Sequence, residues 1–146
     1  MKSILTLFSL LLFVGLHAQT DTASAQSDTS LKEFKTVQIQ AQFPGGINGW
    51  RQYLIKNLRA EVAADNIVLK RRQKDSSEIV IVSFLVDKEG NVNEVRVANP
   101  ETVNPAVGAE AVRVIAKGPK WLPATQNGKP VIYRQRQTLT FVVSKG

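Results

Sequence analysis

The sequence predicts an α+β domain in which two helices pack on a small three-stranded antiparallel sheet. Three observations point there. Glu78 to Val86 and Val92 to Ala98 are strand-like runs joined by the turn Asp87-Lys88-Glu89-Gly90-Asn91. Two stretches carry apolar residues at helical spacing: Ile47, Trp50, Leu54 and Leu58, then Val107, Ala111, Val114 and Ile115. A connector rich in proline and glycine, Gly118 to Val131, leads into a last alternating run that ends at Val143. The order helix–strand–strand–helix–strand sorts into the α+β class.

Residues 1–18 read as a secretory leader. Lys2 supplies the positive start, Ile4 to Leu16 the apolar stretch, and Ala18 a small residue before a cleavage point at Gln19. The alternative is an uncleaved inner-membrane anchor, although residues 4–16 fall short of the roughly 20 apolar residues that a span needs. Residues 19–36 are assigned to a flexible linker, because Thr20 to Ser30 is rich in Ser, Thr, Ala, Asp and Gln and has no apolar periodicity. The folded domain is assigned to residues 37–146.

Within it, Val37 to Ala41 alternates and reads as a short strand or an extended lead-in. Phe43-Pro44-Gly45-Gly46 is a turn, after which Asn48 is placed to cap the first helix. Ala60 to Ser77 is open between a continued helix and a loop. The first strand has apolar residues at both parities, Val80, Val82, Phe84 and Val86 against Ile79, Ile81 and Leu85, the pattern of a strand covered on both faces. Gly90 sits where a hairpin connection needs positive φ. Pro105 starts the second helix, from whose apolar stripe Glu110 and Arg113 are expected to point away. In the connector Pro119 stops the helix, Trp121 plugs the core between Pro119 and Pro123, and Asn127-Gly128 turns the chain into the last strand. There Tyr133, Leu139, Phe141 and Val143 share one parity, and Arg134, Arg136, Thr138 and Thr140 the other.

The residue inventory excludes several kinds of chemistry. There is no cysteine, and the one histidine, His17, lies in the leader. A chain starting at Gln19 therefore has no Cys or His nucleophile, no imidazole acid–base group and no ordinary zinc site. Asp87, Glu89, Asn91 and Asn93 alternate around one turn but do not continue into a calcium loop, so no metal and no cofactor is expected. Glu78, Glu94, Asp65 and Asp75 are the candidate paired carboxylates, and nothing in their spacing brings two together; the chain reads as a non-enzyme. The formal charge of +7 favours anionic partners. The densest basic run, Lys70-Arg71-Arg72-Gln73-Lys74, has no interleaved aromatics, and with export this argues against nucleic acid.

Several segments, weak one by one, form a specific set in order. They are Phe43-Pro44-Gly45-Gly46, then Val82 to Val92 across the hairpin, then Glu110 to Val114. Pro119-Lys120-Trp121-Leu122-Pro123, Gln126-Asn127-Gly128-Lys129-Pro130-Val131 and Thr140-Phe141 follow. Together, over roughly residues 40 to 144, they resemble the C-terminal domain of the TonB energy-transducer family. The resemblance implies two helices on three antiparallel strands. It also implies a periplasmic role: gripping a short segment of an outer-membrane transporter, which adds as a strand to the sheet edge. The last strand is then the docking edge, with Tyr133, Arg134, Arg136, Thr138 and Thr140 as the partner-binding residues. Pro44, Gly45, Gly46, Pro119, Trp121, Pro123, Asn127 and Gly128 are the structural motif. The two arginines favour a segment that carries Asp or Glu. They equally protect an exposed edge from aggregation. Full-length members have an anchor and a long Pro-rich linker, whereas Gln19 to Ala41 here has no proline and reaches at most about 80 Å. Contact with the membrane is expected only if residues 4–16 stay as an anchor. Another periplasmic protein is an alternative partner. A different reading is an assembly module that forms a homodimer through the same edge or through Ile79, Ile81 and Leu85.

Overall fold

The structure is a computed structural model that describes residues 32–145; the expected leader and most of the linker lie outside the described residues. The central element is the long strand β1, Asp75–Val86, which starts three residues before the expected Glu78. It pairs antiparallel with β2, Val92–Val97, on one side and with β5, Tyr133–Ser144, on the other, giving the order β2-β1-β5. The β1–β5 register is unbroken from Asp75↔Ser144 to Val86↔Tyr133. The β1–β2 register shifts between Ser83 and Leu85. Glu94, at φ 49°, is in the extra stretch of β2 that makes this bulge.

Helices α1, Gly46–Asn57, and α3, Pro105–Ala116, are the two expected ones. The count is nevertheless larger than expected. Ala60–Asn66 forms a separate helix, α2, and residues Ala124–Gln126 (β3) and Lys129–Val131 (β4) pair as a second, two-stranded sheet. The domain is α+β with three α-helices and five strands, so the expectation of two helices and three strands is corrected upward. The Asn127-Gly128 turn between β3 and β4 has φ of 51° and 71°, the paired positive values of a tight hairpin turn. The lead-in runs beside this region: Ile39 bridges Thr125 and Gln42 bridges Leu122.

One face of the sheet carries the core. Val80, Val82, Phe84 and Val86 from β1 are fully buried with Leu139 and Phe141 from β5 and Val107, Ala111, Val114 and Ile115 from α3. The other parity of β1 is less covered than a strand buried on both faces: Ile81 and Leu85 are half-buried, and Ile79 is 53% exposed. Beyond β2, the Asn99 side chain takes the place of a longer strand. Its Oδ1 accepts from the Ile81 N–H at 2.8 Å, and its Nδ2 donates to the Ile79 carbonyl at 2.9 Å.

The α1 start also differs from expectation. Gly45, at φ 78°, is the N-cap and Asn48 is inside the helix, so no side chain caps it. The helix begins three residues earlier than expected, and Ile47 in its first turn is 69% exposed. Trp50 is buried as expected. In α3, Pro105 occupies the first turn and Asn104 Oδ1 accepts from the Ala106 N–H at 2.9 Å, a side-chain N-cap.

Glu110 does not point away from the core: it is 4% exposed. Its Oε1 accepts from the Arg59 N–H at 2.8 Å and from an Arg113 terminal nitrogen at 2.6 Å, and its Oε2 from Arg113 Nε at 2.7 Å. The same Arg113 nitrogen donates to the Asn57 carbonyl at 2.6 Å, so the pair ties α3 to the α1–α2 junction. Burial alone would raise the Glu110 carboxyl pKa. The hydrogen bonds from Arg113 and Arg59 and the nearby positive charge outweigh it and hold the group below the usual carboxylate range.

Candidate functional site

Trp121 organises the connector and one border of the site. Its ring is buried and packs against Phe84 (centroids 5.0 Å apart), Phe43 (5.6 Å) and Trp50 (5.9 Å). The Trp121 backbone N–H donates to the Gly90 carbonyl at 2.8 Å, which locks the connector to the hairpin turn. Gly90 has φ 83°, and a Cβ there would lie 2.0 Å from the Trp121 carbonyl oxygen, so no other residue fits this crossing. Asp87 holds the turn from the other side, accepting from the N–H groups of Glu89 and Asn91 and from the Asn91 amide. Of the remaining motif residues, Pro123 is half-buried and Pro119 exposed, while Pro44 and Gly46 flank the α1 start.

β5 is one of the two edge strands of this sheet, β2 being the other. The Lys145 N–H donates to the Lys74 carbonyl at 2.9 Å, and the register carries that parity along the ladder. Odd-numbered residues of β5 therefore turn their N–H and C=O groups toward β1. Arg136, Thr138, Thr140 and Val142 turn theirs outward. Among the described residues, only the start of the edge is taken by the chain itself. Phe34 bridges Tyr133 in parallel, with the Phe34 N–H donating to the Ile132 carbonyl at 3.0 Å. The fold thus reaches back to Glu33 and Phe34. From Arg136 onward the outer edge carries no strand among the described residues.

The expected partner-binding residues separate into three groups. Thr138, Thr140 and Arg136 are exposed on the open sheet face, beside the free backbone groups. Tyr133 packs against the core and under Phe34. Arg134 is already engaged: Nε is 2.8 Å from Glu33 Oε1, and a terminal nitrogen is 2.6 Å from Glu94 Oε2, which the β2 bulge brings into reach. These two carboxylates raise the Arg134 pKa, so it stays charged and paired. Arg136 is the arginine of the pair that remains open to a partner.

A pocket of about 360 Å³, which no spacing in the sequence foretells, lies on the other face beside this edge. Phe43, Ile47, Trp50 and Trp121 form its apolar wall and Gln135 and Gln137 of β5 its polar rim. The amide of Gln135 donates to the Arg136 carbonyl at 3.2 Å, and its Oε1 is enclosed without a hydrogen-bond partner. Among the described residues no group of three or more His, Cys, Asp or Glu is placed to hold a metal ion, and no helix is long and apolar enough to cross a membrane.

The paired hairpin, the Trp121 connector and a terminal strand paired on one side only are the features of a protein-interaction domain. The chain belongs to the family described as Gram-negative bacterial TonB protein C-terminal, which it matches over residues 70–143. This is a family of protein-interaction domains, not of enzymes, and its members typically engage outer-membrane transporters. No curated protein and no solved structure matches the chain.

Proposed function

We propose that this is an exported periplasmic protein whose domain, residues 37–146, binds an extended segment of an outer-membrane TonB-dependent transporter, or of another periplasmic protein, as an added strand on β5. The observation that carries the reading is the edge itself. From Arg136 onward alternate residues aim N–H and C=O groups outward with no strand beside them among the described residues, and at its start the edge already accepts an extended residue, Phe34. Main-chain hydrogen bonds then give affinity, and side chains on either face give selectivity. Arg136 provides the selectivity for acid. Glu33 on Arg134 is an internal example of the same pairing. Such an attachment suits energy-coupled transport, because several backbone bonds loaded together resist pulling.

Single-cysteine crosslinking tests this cleanly, because the chain has no cysteine of its own. Thr140→Cys is paired with cysteines stepped along the N-terminal segment of a co-produced TonB-dependent transporter. Strand addition predicts adducts at every second transporter position, the ones that share Thr140's face. Adducts without that period, or none at all, would overturn it.

A second reading, a homodimer through the open sheet face, is favoured by one observation. Ile79 and Val142, on neighbouring strands of that face, are 53% and 61% exposed. An adduct of twice the chain's own mass, formed before the transporter is present, would favour it.

A further inference from the structure

We propose that the pocket between α1 and β5 is a side-chain subsite for a tyrosine or tryptophan carried by the added strand; this rests on strand addition at β5. On a strand laid against β5, residues alternate between the two faces, and one directly opposite Gln135 or Gln137 places its Cβ about 5 Å away on the helix side. That is the side on which the pocket opens, since Gln135 and Gln137 form its rim. At about 360 Å³ it is at the small end of ligand pockets, room for one large side chain.

The wall chemistry narrows the occupant. Phe43, Trp50 and Trp121 offer aromatic faces and edges, and the exposed Ile47 gains cover when the pocket fills. No charged side chain lines it, so an ionised group entering would lose water without gaining a counter-ion. An aromatic ring with an O–H or N–H has a partner available at the rim. Gln135 now spends its amide on the Arg136 carbonyl, an outward edge group, while its Oε1 lacks a donor. A partner N–H that takes over the Arg136 carbonyl releases the Gln135 side chain, whose oxygen then accepts from the occupant. The residue next to the occupant on the added strand falls opposite Arg136, on the open face. The recognition pattern is therefore an aromatic residue with an Asp or Glu beside it.

The test uses capped nonapeptides of threonine and valine, with one glutamate followed by a variable residue: Ala, Lys, Phe or Tyr. Affinity is measured by calorimetry. Emission from Trp50 and Trp121, the chain's two tryptophans, reports filling of the pocket. The proposal expects the Tyr peptide to bind at least tenfold tighter than the Ala peptide, with Phe between and Lys no tighter than Ala. It expects a change in tryptophan emission with Phe and Tyr. Ile47→Asp, at an exposed position, should erase the Tyr preference. Equal binding of all four peptides, still lost in Thr138→Pro, overturns the subsite and leaves strand addition standing. Binding of none of them, or binding indifferent to Thr138→Pro, overturns strand addition and the subsite with it.

Discussion

Replacing Glu110 by Gln should destabilise the domain by about 2–3 kcal/mol, and the effect should disappear in acid. Three donors converge on two carboxylate oxygens: the Arg59 N–H and an Arg113 terminal nitrogen on Oε1, and Arg113 Nε on Oε2. An amide keeps one oxygen and turns an NH₂ group against donors at the other. Hydrogen bonds to a charged partner contribute about 1.5–3 kcal/mol, and breaking a buried pair costs about 3–5 kcal/mol. Arg113 is 23% exposed and can recover some water, which places the cost at the lower end. At about 4 °C per kcal/mol for a domain of this size, the melting temperature should fall by about 10 °C at pH 7. The sign with pH follows from the depressed carboxyl pKa. The stabilisation is complete above the unfolded-state value, about 4.3, and is lost as pH falls through the lower folded-state value. Thermal unfolding of both proteins by circular dichroism from pH 7 to pH 2 reads the difference directly. A difference under about 0.5 kcal/mol at pH 7, or one that stays constant into acid, would refute the assignment of Glu110 as a buried, charged tie.

Three other outcomes follow from the same structure. Gly90→Ala forces a Cβ to 2.0 Å from the Trp121 carbonyl oxygen at φ 83°, and should lower the unfolding free energy by more than about 3 kcal/mol with loss of Trp121 near-ultraviolet dichroism. Arg136→Glu should weaken binding of acidic extended peptides several-fold, without effect on neutral ones; equal loss for both would mean that Arg136 acts on the fold. The mass of the protein recovered from membrane and soluble envelope fractions should correspond to a start at Gln19 in the soluble fraction, whereas an intact Met1 product in the inner membrane would identify an anchored transducer.

The parts legible in the sequence are those set by local chemistry. The apolar run of β1, the positive-φ positions at Gly90 and Gly128, and Pro105 at the head of α3 each act within a few residues. What escaped reading depends on distant partners. α2 has seven residues and no apolar stripe of its own, and it exists because Ala63 and Ile67 find cover in the core. Glu110 looks solvent-bound until the Arg59 N–H and Arg113 enclose it. Ile47 reads as core because it stands three residues before Trp50, yet the first turn of α1 leaves it exposed. Along β5 the alternation identifies which side chains share a face, yet it cannot reveal that Glu33, 101 residues away, already holds Arg134. The aromatic pocket brings together residues from the lead-in, α1, the connector and β5, and no spacing in the sequence records that meeting.

Strand addition is tested most directly at Thr138, whose N–H faces away from β1. Proline is tolerated on an edge strand at such a position, so Thr138→Pro removes an outward donor and leaves the β1–β5 ladder in place. Binding of an extended transporter segment is measured for the native chain, for Thr138→Ala and for Thr138→Pro, with far-ultraviolet dichroism and melting as the check on folding. The account predicts near-native binding for Thr138→Ala and at least a tenfold loss, about 1.4 kcal/mol, for a folded Thr138→Pro. Native affinity in a folded Thr138→Pro would contradict it.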